Sequence, residues 1–314
     1  MGETGEVRDA RQEAFERLGG RYEVRVLEPS PPASAEAPWF ADDPCERGDV
    51  PVGRLLVSPV PNGDLLWAEL ARDDAGLAAW CSDRWLGPYR RLIPVPATLV
   101  AARLGLHRLA ERVVSPARER TNGKIGLRYT YGGFGTPFFD DDVQVRVEGT
   151  ELVVDDRTGE RREAISTLSD AAALVEIELE GSDEGVDVDP AAVRFLADWY
   201  GFMASVLEEL RARAGPELEP SRVQLWPEHF DIATELGPEA AGRRAGYGGS
   251  AGDELHSEPY LYVVPWQGSA ATGELWQATG FAGAELAYRE LLSAGDQRAA
   301  ALDFMSERLA ALAR

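Results

Sequence analysis

The sequence from Val223 to Leu236 reads VQLWPEHFDIATEL, and its pattern predicts two β-strands. The two strands are 222–226 and 230–236. Successive side chains of a strand point to opposite faces, so alternate residues of the second strand are expected to face a hydrophobic core. These core residues are Phe230, Ile232 and Leu236. His229 and Asp231 would then share the opposite, polar face of the sheet.

The same half of the chain contains further predicted strands and two helices. The strands are 258–266 and 276–281. The glycine-rich segment 248–252 is interpreted as a loop. Asp189-Pro190 predicts the start of a helix that runs to about residue 214, because Asp caps helix N-termini and Pro suits the first turn. A terminal helix is predicted over 295–314.

The upstream part of the chain repeats this order of a long helix followed by strands. The helix is predicted over 97–120, with Asn122-Gly123 ending it. Alternating apolar residues and turn signals then predict an antiparallel meander. Its strands are 124–131, 143–147, 151–154 and 161–165. The segment 132–135 is expected to be a tight glycine-rich turn, and 166–175 a short helix.

These elements predict an α+β fold in which two long helices pack on one side of antiparallel sheet. Residues 97–314 are expected to form the main domain, and residues 1–96 an accessory α+β layer. A Phe-Asp pair follows each long helix, at Phe139-Asp140 and at Phe230-Asp231. The main domain could therefore consist of two weakly related halves. These halves are 97–178 and 189–285.

The charge balance excludes several classes of partner. The 314 residues include 32 basic and 54 acidic side chains, which gives a net charge of −22. A polyanion needs a basic stripe, so neither nucleic acid nor an anionic membrane is an expected partner. The sequence has no apolar run of membrane length and no secretory signal pattern. We therefore expect a soluble, cytoplasmic protein, and the sequence indicates no particular oligomeric state.

Three histidines, His107, His229 and His256, limit where histidine chemistry can occur. His229 and His256 each precede an acid by two positions, Asp231 and Glu258, and residues two apart in a strand share a face. If the two segments pair, these four side chains could bind a divalent metal ion, or they could act as a general acid and base. A polar sheet face without chemistry is the simpler interpretation.

Aromatic residues gather in the same region. Tyr260, Tyr262 and Trp266 share one face of the predicted strand 258–266. An aromatic wall beside histidines and carboxylates indicates a pocket for a small molecule or a sugar, although a stripe of core residues would give the same pattern. The candidate ligand-binding residues are Trp226, His229, Asp231, Tyr247, His256, Tyr260, Tyr262 and Trp266.

The sequence Gly248-Gly249-Ser250-Ala251-Gly252 matches the G-x-S-x-G pattern of serine hydrolases in form, and Asp253 and His256 follow it. This pattern marks a nucleophile where a strand precedes the serine and a helix follows it. The flanking sequences, RRAGY and DELHSEP, both predict loop. We therefore assign no nucleophile to Ser250.

Two segments, VQLWPEHFDIA at 223–233 and EPYLYVVPW at 258–266, carry a resemblance to a known family. Together with LWQATGFAGAELAYREL, they make residues 190–295 similar to an uncharacterised, actinobacterial-type domain of unknown function with a Trp-Pro-x-His-Phe-Asp segment. The resemblance implies a related fold for the C-terminal half. It implies no activity.

Three functions are compatible with the sequence. The preferred hypothesis is a non-catalytic small-molecule-binding or interaction protein, with a pocket between the Trp226 segment and the strand 258–266. The alternative is a metal-dependent enzyme, and its divalent metal is the cofactor that the sequence suggests. The ligands of that metal would be His229, Asp231, His256 and Glu258. A third hypothesis is a structural or regulatory protein whose acidic surface binds a basic partner.

Overall fold

The computed structural model describes residues 92–313, except 131, 138, 140–142, 157, 215 and 269–270, together with three N-terminal strands. These strands are β1 (Tyr22–Leu27), β2 (Arg54–Pro59) and β3 (Leu65–Leu66), and they form an antiparallel sheet in the order β1-β2-β3. The predicted accessory layer therefore contains sheet. The rest of residues 1–91 lies outside the described part of the chain.

The first long helix has an irregular middle. It comprises α1 (Leu99–Leu109), a π-helical segment (Ala110–Val114) and α2 (Ser115–Asn122). Gly123 follows in the left-handed conformation, with φ 73°, and ends the helix as the Asn-Gly signal predicts. One face of the helix, including Leu99, Leu106 and Leu109, is buried.

The meander predicted for the first half is confirmed as a five-stranded antiparallel sheet in chain order. Its strands are β4 (Arg128–Thr130), β5 (Gly133–Gly135), β6 (Gln144–Glu148), β7 (Glu151–Asp156) and β8 (Gly159–Ala164). The segment predicted as a glycine-rich turn is strand β5. A Cβ atom on Gly133 would lie 2.1 Å from the carbonyl oxygen of Val147, so only glycine allows β5 to approach β6 this closely.

Helix α3 (Leu168–Leu174) closes the first half, and α4 (Pro190–Arg213) opens the second. The capping prediction for α4 is confirmed. The Asp189 carboxylate accepts hydrogen bonds from the backbone N–H groups of Ala191 and Ala192, at 3.1 and 3.0 Å. These bonds satisfy two donors that have no partner within the helix.

The second half contains another five-stranded antiparallel sheet in chain order. Its strands are β9 (Gln224–Trp226), β10 (Asp231–Leu236), β11 (Ala245–Ser250), β12 (Tyr260–Pro265) and β13 (Ala284–Ala287). Two predictions were wrong. Residues 248–250 of the segment interpreted as a glycine-rich loop are the C-terminal part of the central strand β11, and residues 276–281 are irregular, with β13 starting at Ala284. Helices α5 (Tyr288–Ser293) and α6 (Gln297–Leu312) follow.

Helix α4 joins the layers of the molecule. It contacts β4 and β5 of the first sheet and β10 and β11 of the second, while α1 and α6 pack against α4. Trp199, Tyr200 and Met203 of α4 are fully buried in this layer. The two sheets also meet edge to edge, because Leu127 and Leu225 exchange backbone hydrogen bonds of 2.8 and 2.7 Å.

The α+β class is therefore confirmed, with antiparallel sheet and long helices. Each half has a long helix, a five-stranded meander and at least one further helix in that order. A common origin of the two halves stays a prediction. Among the described residues, no helix has both the length and the apolar character needed to cross a membrane.

Candidate functional site

The turn between β9 and β10 is built around Phe230. Its N–H donates a 2.8 Å hydrogen bond to the carbonyl oxygen of Trp226, and its backbone has φ 53°, which non-glycine residues rarely adopt. Phe230 thus belongs to the turn rather than to the predicted strand. Its ring is buried, stacked on His107 at 5.4 Å between centroids and met edge-on by Phe134 and Tyr200.

Asp231 follows this turn and begins β10. In the sheet it lies opposite Trp226 of β9 and Ser250 of β11, and residues directly opposite each other share a face. Burial raises the pKa of the Asp231 carboxyl, and this outweighs the opposing effects of a hydrogen bond from Tyr262, the charge of His229 and an interaction with the backbone N–H of Asp231 itself. Asp231 is therefore a desolvated acid whose oxygen Oδ2 accepts a hydrogen bond from the side chain of Tyr262.

The contact between Tyr262 and Asp231 depends on glycine in the strand between them. Tyr262 lies opposite Gly248 in the register, and a Cβ atom there would lie 2.4 Å from Cζ and the hydroxyl oxygen of Tyr262. The tyrosine ring thus lies across the central strand to reach β10. On the other face, a Cβ atom on Gly249 would lie 2.7 Å from Met203 of α4. The glycines leave room for side chains on both sides of β11.

The second sheet consequently has two different faces. The face that carries Asp231, Ser250, Tyr260, Tyr262 and Glu285 is called the tyrosine face here, and the register places these residues on one side. The opposite side packs on α4. Carboxylates and phenols are therefore gathered on the side of the sheet away from this helix.

A loop between β11 and β12 adds Asp253 and His256 to the tyrosine face. The Asp253 carboxylate accepts hydrogen bonds from the Tyr260 hydroxyl at 2.7 Å and from the His256 N–H at 2.7 Å, and its Oδ1 lies 3.0 Å from His256 Nδ1. His256 Nε2 lies 3.4 Å from a carboxylate oxygen of Glu285. The imidazole therefore lies between two carboxylates.

The carboxyl groups of Asp231 and Asp253 differ in their environments. Burial acts to raise the pKa of Asp253, but hydrogen bonds from Tyr260, His256 and Leu255 outweigh it, so the pKa is lowered. The Asp253 carboxylate is well supplied with donors. Asp231, by contrast, has a raised pKa because burial dominates.

Arg103 of α1 contacts the same loop from the helix side. Its guanidinium donates a 3.3 Å hydrogen bond to the backbone carbonyl oxygen of Asp253. The side chain is buried, and this burial lowers the pKa of Arg103 despite the nearby charge of Asp253. His107 lies four residues further along α1 and stacks on Phe230, so one helix contacts both the loop and the turn that precedes Asp231.

The structure brings several of the predicted candidate residues together. Asp231, His256, Tyr260 and Tyr262 lie in one connected group, and Trp226 faces the same side as Asp231. Three other candidates lie elsewhere. Trp266 follows the end of β12 and is 52% exposed, with the Arg244 guanidinium over its ring, whereas Tyr247 is buried on the opposite face toward α4 because it lies opposite Val263. His229 is exposed in the turn.

The metal-site hypothesis receives no support. His229 and Glu258 are exposed, Asp231 is buried, and the two nitrogens of His256 face Asp253 and Glu285. Across the described residues, no group of three or more His, Cys, Asp or Glu side chains is placed to hold a metal ion. Residues two positions apart share a face only within a strand. His229 lies in the turn and Glu258 precedes β12, so the spacing of His229 from Asp231 and of His256 from Glu258 does not place either pair on one face.

The sequence reasoning missed Arg103, Asp253 and Glu285. Arg103 lies on a helix far away in sequence, and Glu285 lies on β13, whose strand was predicted at 276–281 instead of 284–287, so neither had a local signal. Asp253 did have one, because Asp-x-x-His spacing allows a side chain to bond to the backbone N–H of the histidine in a turn.

Comparison of the chain with family models, with curated proteins and with solved structures finds no match. The resemblance of residues 190–295 to an uncharacterised family stays a prediction.

Proposed function

We propose that this protein is a non-catalytic binder of a small molecule, which it holds on the tyrosine face of the second sheet. The observation that carries the proposal is the side of the sheet on which Tyr260 and Tyr262 lie. Both point away from α4, and they are joined by hydrogen bonds to Asp253 and Asp231 instead of packing against this helix. A few polar groups beside aromatic rings are typical of small-molecule sites.

The geometry of the polar groups favours binding over catalysis. His256 has a carboxylate beside each ring nitrogen, so its imidazole is held in place by Asp253 and Glu285. Ser250 accepts a 3.1 Å hydrogen bond from the N–H of Gly252, and a loop follows it where a nucleophile would have a helix. These groups orient one another, which suits a preformed binding surface.

A screen of small-molecule fragments by NMR tests this proposal, with the protein labelled at its tyrosine rings. We expect ligands that shift the ring signals of Tyr260 and Tyr262 and leave unchanged those of Tyr200, which lies on α4, and of Tyr247, which is buried on the side of the sheet that packs on α4. The Tyr262→Ala variant should weaken these ligands, while Trp266→Ala, an aromatic change beyond the end of β12, should not. Ligands that shift only other tyrosines would contradict the proposal.

A further inference from the structure

Asp231 has one carboxylate oxygen to which no side chain in the described part of the chain donates a hydrogen bond. The Tyr262 hydroxyl donates to Oδ2, and Oδ1 is buried without a partner. The residue as a whole is 9% exposed. A buried acceptor that lacks a donor destabilises the folded chain, and a ligand that supplies an N–H group there removes this penalty.

The surroundings of this oxygen are aromatic and negatively charged. The rings of Tyr260 and Tyr262 lie 6.3 Å apart, and Trp226 lies opposite Asp231 on the neighbouring strand. The carboxylates of Asp253 and Glu285 belong to the same face. Aromatic faces attract cations, and a surface with several carboxylates adds a favourable potential for positive charge.

The basic side chains nearby are engaged away from Oδ1. The Arg103 guanidinium donates to the backbone carbonyl of Asp253, and the His256 imidazole lies between Asp253 and Glu285. His229 is exposed in the turn and influences Asp231 through its charge alone. The donor that Oδ1 lacks must therefore come from outside this group of side chains.

A metal ion fits this site less well than an organic cation does. Hard metal ions take several oxygen ligands at once, and the described residues provide no convergent group of three or more. An ammonium or guanidinium group needs one carboxylate oxygen for a charge-assisted hydrogen bond and can rest its remaining surface on aromatic rings.

We propose that the ligand of this site is an organic cation with N–H groups, a primary ammonium or a guanidinium compound, which donates to Oδ1 of Asp231 and lies against Tyr260 and Tyr262. This inference rests on the proposed function, since it names the class of molecule that the tyrosine face would bind.

Matched pairs of probes test the ligand class. Alkylammonium and alkylguanidinium ions of increasing length are titrated into the protein, each beside the neutral alcohol with the same carbon skeleton, and binding is followed at the tyrosine ring signals. We expect each cation to bind about tenfold or more tightly than its alcohol, because it adds a charge-assisted hydrogen bond at a buried site. Tetramethylammonium, which has no N–H, should bind more weakly than the primary ammonium ions.

Two variants assign the effect to Asp231. Asp231→Asn removes the charge with little change of volume and should weaken the cations by about tenfold or more while leaving the alcohols unchanged. Glu258→Gln makes the same change at an exposed position before β12 and should weaken the cations less than about twofold. Tyr262→Phe provides a second variant at the site. It leaves Oδ2 of Asp231 without its side-chain donor, so the affinity of the cations should change in this variant as well.

The outcomes separate this inference from the proposed function. If neutral fragments shift the Tyr260 and Tyr262 signals while cations have no advantage, the ligand class is wrong and the binding face is retained. If cations bind but Asp231→Asn and Tyr262→Phe bind them as well as the unaltered chain does, the assignment to Asp231 is overturned. If no probe or fragment shifts these two tyrosines at millimolar concentration, both the ligand class and the proposed function fail.

Discussion

The hydroxyl of Tyr200 donates a 2.8 Å hydrogen bond to the carbonyl oxygen of Phe230. Through this bond α4 holds the left-handed residue that directly precedes Asp231. Both partners are buried, and the two rings also pack edge to face at 5.4 Å. The direction of the Asp231 side chain is thus controlled from the helix on the other side of the sheet.

Removing the hydroxyl of Tyr200 should destabilise the protein. In Tyr200→Phe, the buried carbonyl of Phe230 loses its side-chain donor, so we expect the free energy of unfolding to fall by about 1–3 kcal/mol in a urea titration. Tyr247→Phe is the matched control. The Tyr247 hydroxyl is buried without a partner among the described residues, so its removal should be neutral or stabilising. Equal losses in the two variants would contradict this assignment.

The positive φ of Phe230 predicts an inverted preference between glycine and alanine. Phe230→Gly and Phe230→Ala both lose the ring, but alanine keeps the left-handed strain of about 1–2 kcal/mol and glycine does not. We expect the glycine variant to have the same or higher melting temperature. At Ile232, a buried strand residue without positive φ, the alanine variant should be the more stable one. The same order at both positions would show that strain at Phe230 is negligible.

Gly248 should tolerate no side chain, whereas Gly246 on the same strand should tolerate one. A Cβ atom in Gly248→Ala would lie 2.4 Å from the Tyr262 ring and 2.9 Å from the carbonyl oxygen of Ile232. Such overpacking costs about 1–3 kcal/mol, and it should also move Tyr262 away from Asp231. Gly246→Ala on the same strand meets its nearest atom at 4.0 Å and should be close to neutral. Chemical denaturation of both variants, with the Tyr262 ring signal as a local probe, distinguishes these outcomes.

Because the pKa of Asp231 is raised in the folded chain, ionisation of its carboxyl should lower the stability of the protein as the pH rises. Below the unfolded-state pKa of about 3.9, the carboxyl is protonated in both states and its burial carries no charge penalty. As the pH rises through the raised folded-state pKa, the wild-type chain loses stability relative to Asp231→Asn. The stability advantage of the variant should therefore grow with pH and then level off, when unfolding is measured over a range from acid to neutral pH.

Asp253→Asn should behave in the opposite way. Because the pKa of Asp253 is lowered in the folded state, its ionised form stabilises the fold above the unfolded-state pKa, and this contribution is lost as the pH falls through the folded-state value. The variant should therefore be less stable than wild type at neutral pH and approach it in acid. Parallel pH profiles for the two variants would refute the contrast between the two carboxyl groups.

The sequence predicted most of the elements, and two of its errors share one physical cause. Helices and strands with clear apolar periodicity, such as α4 and β10, lie close to their predicted positions. The strands β5 and β11 were mistaken for a turn and a loop because both are rich in glycine. Glycine has low strand propensity, but it was required here by close neighbours, Val147 at β5 and Tyr262 at β11, which only the folded chain brings together.

The sequence placed only those candidate-site residues whose relation to one another is local. Strand periodicity placed Tyr260 and Tyr262 on one face, and it could do so because that relation is local. It could not reveal Arg103 or Glu285, since their positions follow from how α1 and β13 pack. It could not reveal that Tyr247 lies on the other face either, because nearness in sequence to β12 carries no information on which face of β11 a residue occupies.

The bridge between Leu127 and Leu225 has a consequence for the chain as a whole. Each of the two meanders has an inner edge strand, β4 or β9, and these edges hydrogen-bond to each other. The outer strand β8 is instead exposed and charged, with Glu160, Arg161, Arg162 and Glu163, which discourages pairing with other chains. The bridge thus covers part of each inner edge, and we expect a chain cut between α3 and α4 to leave both edges open to pairing with other strands.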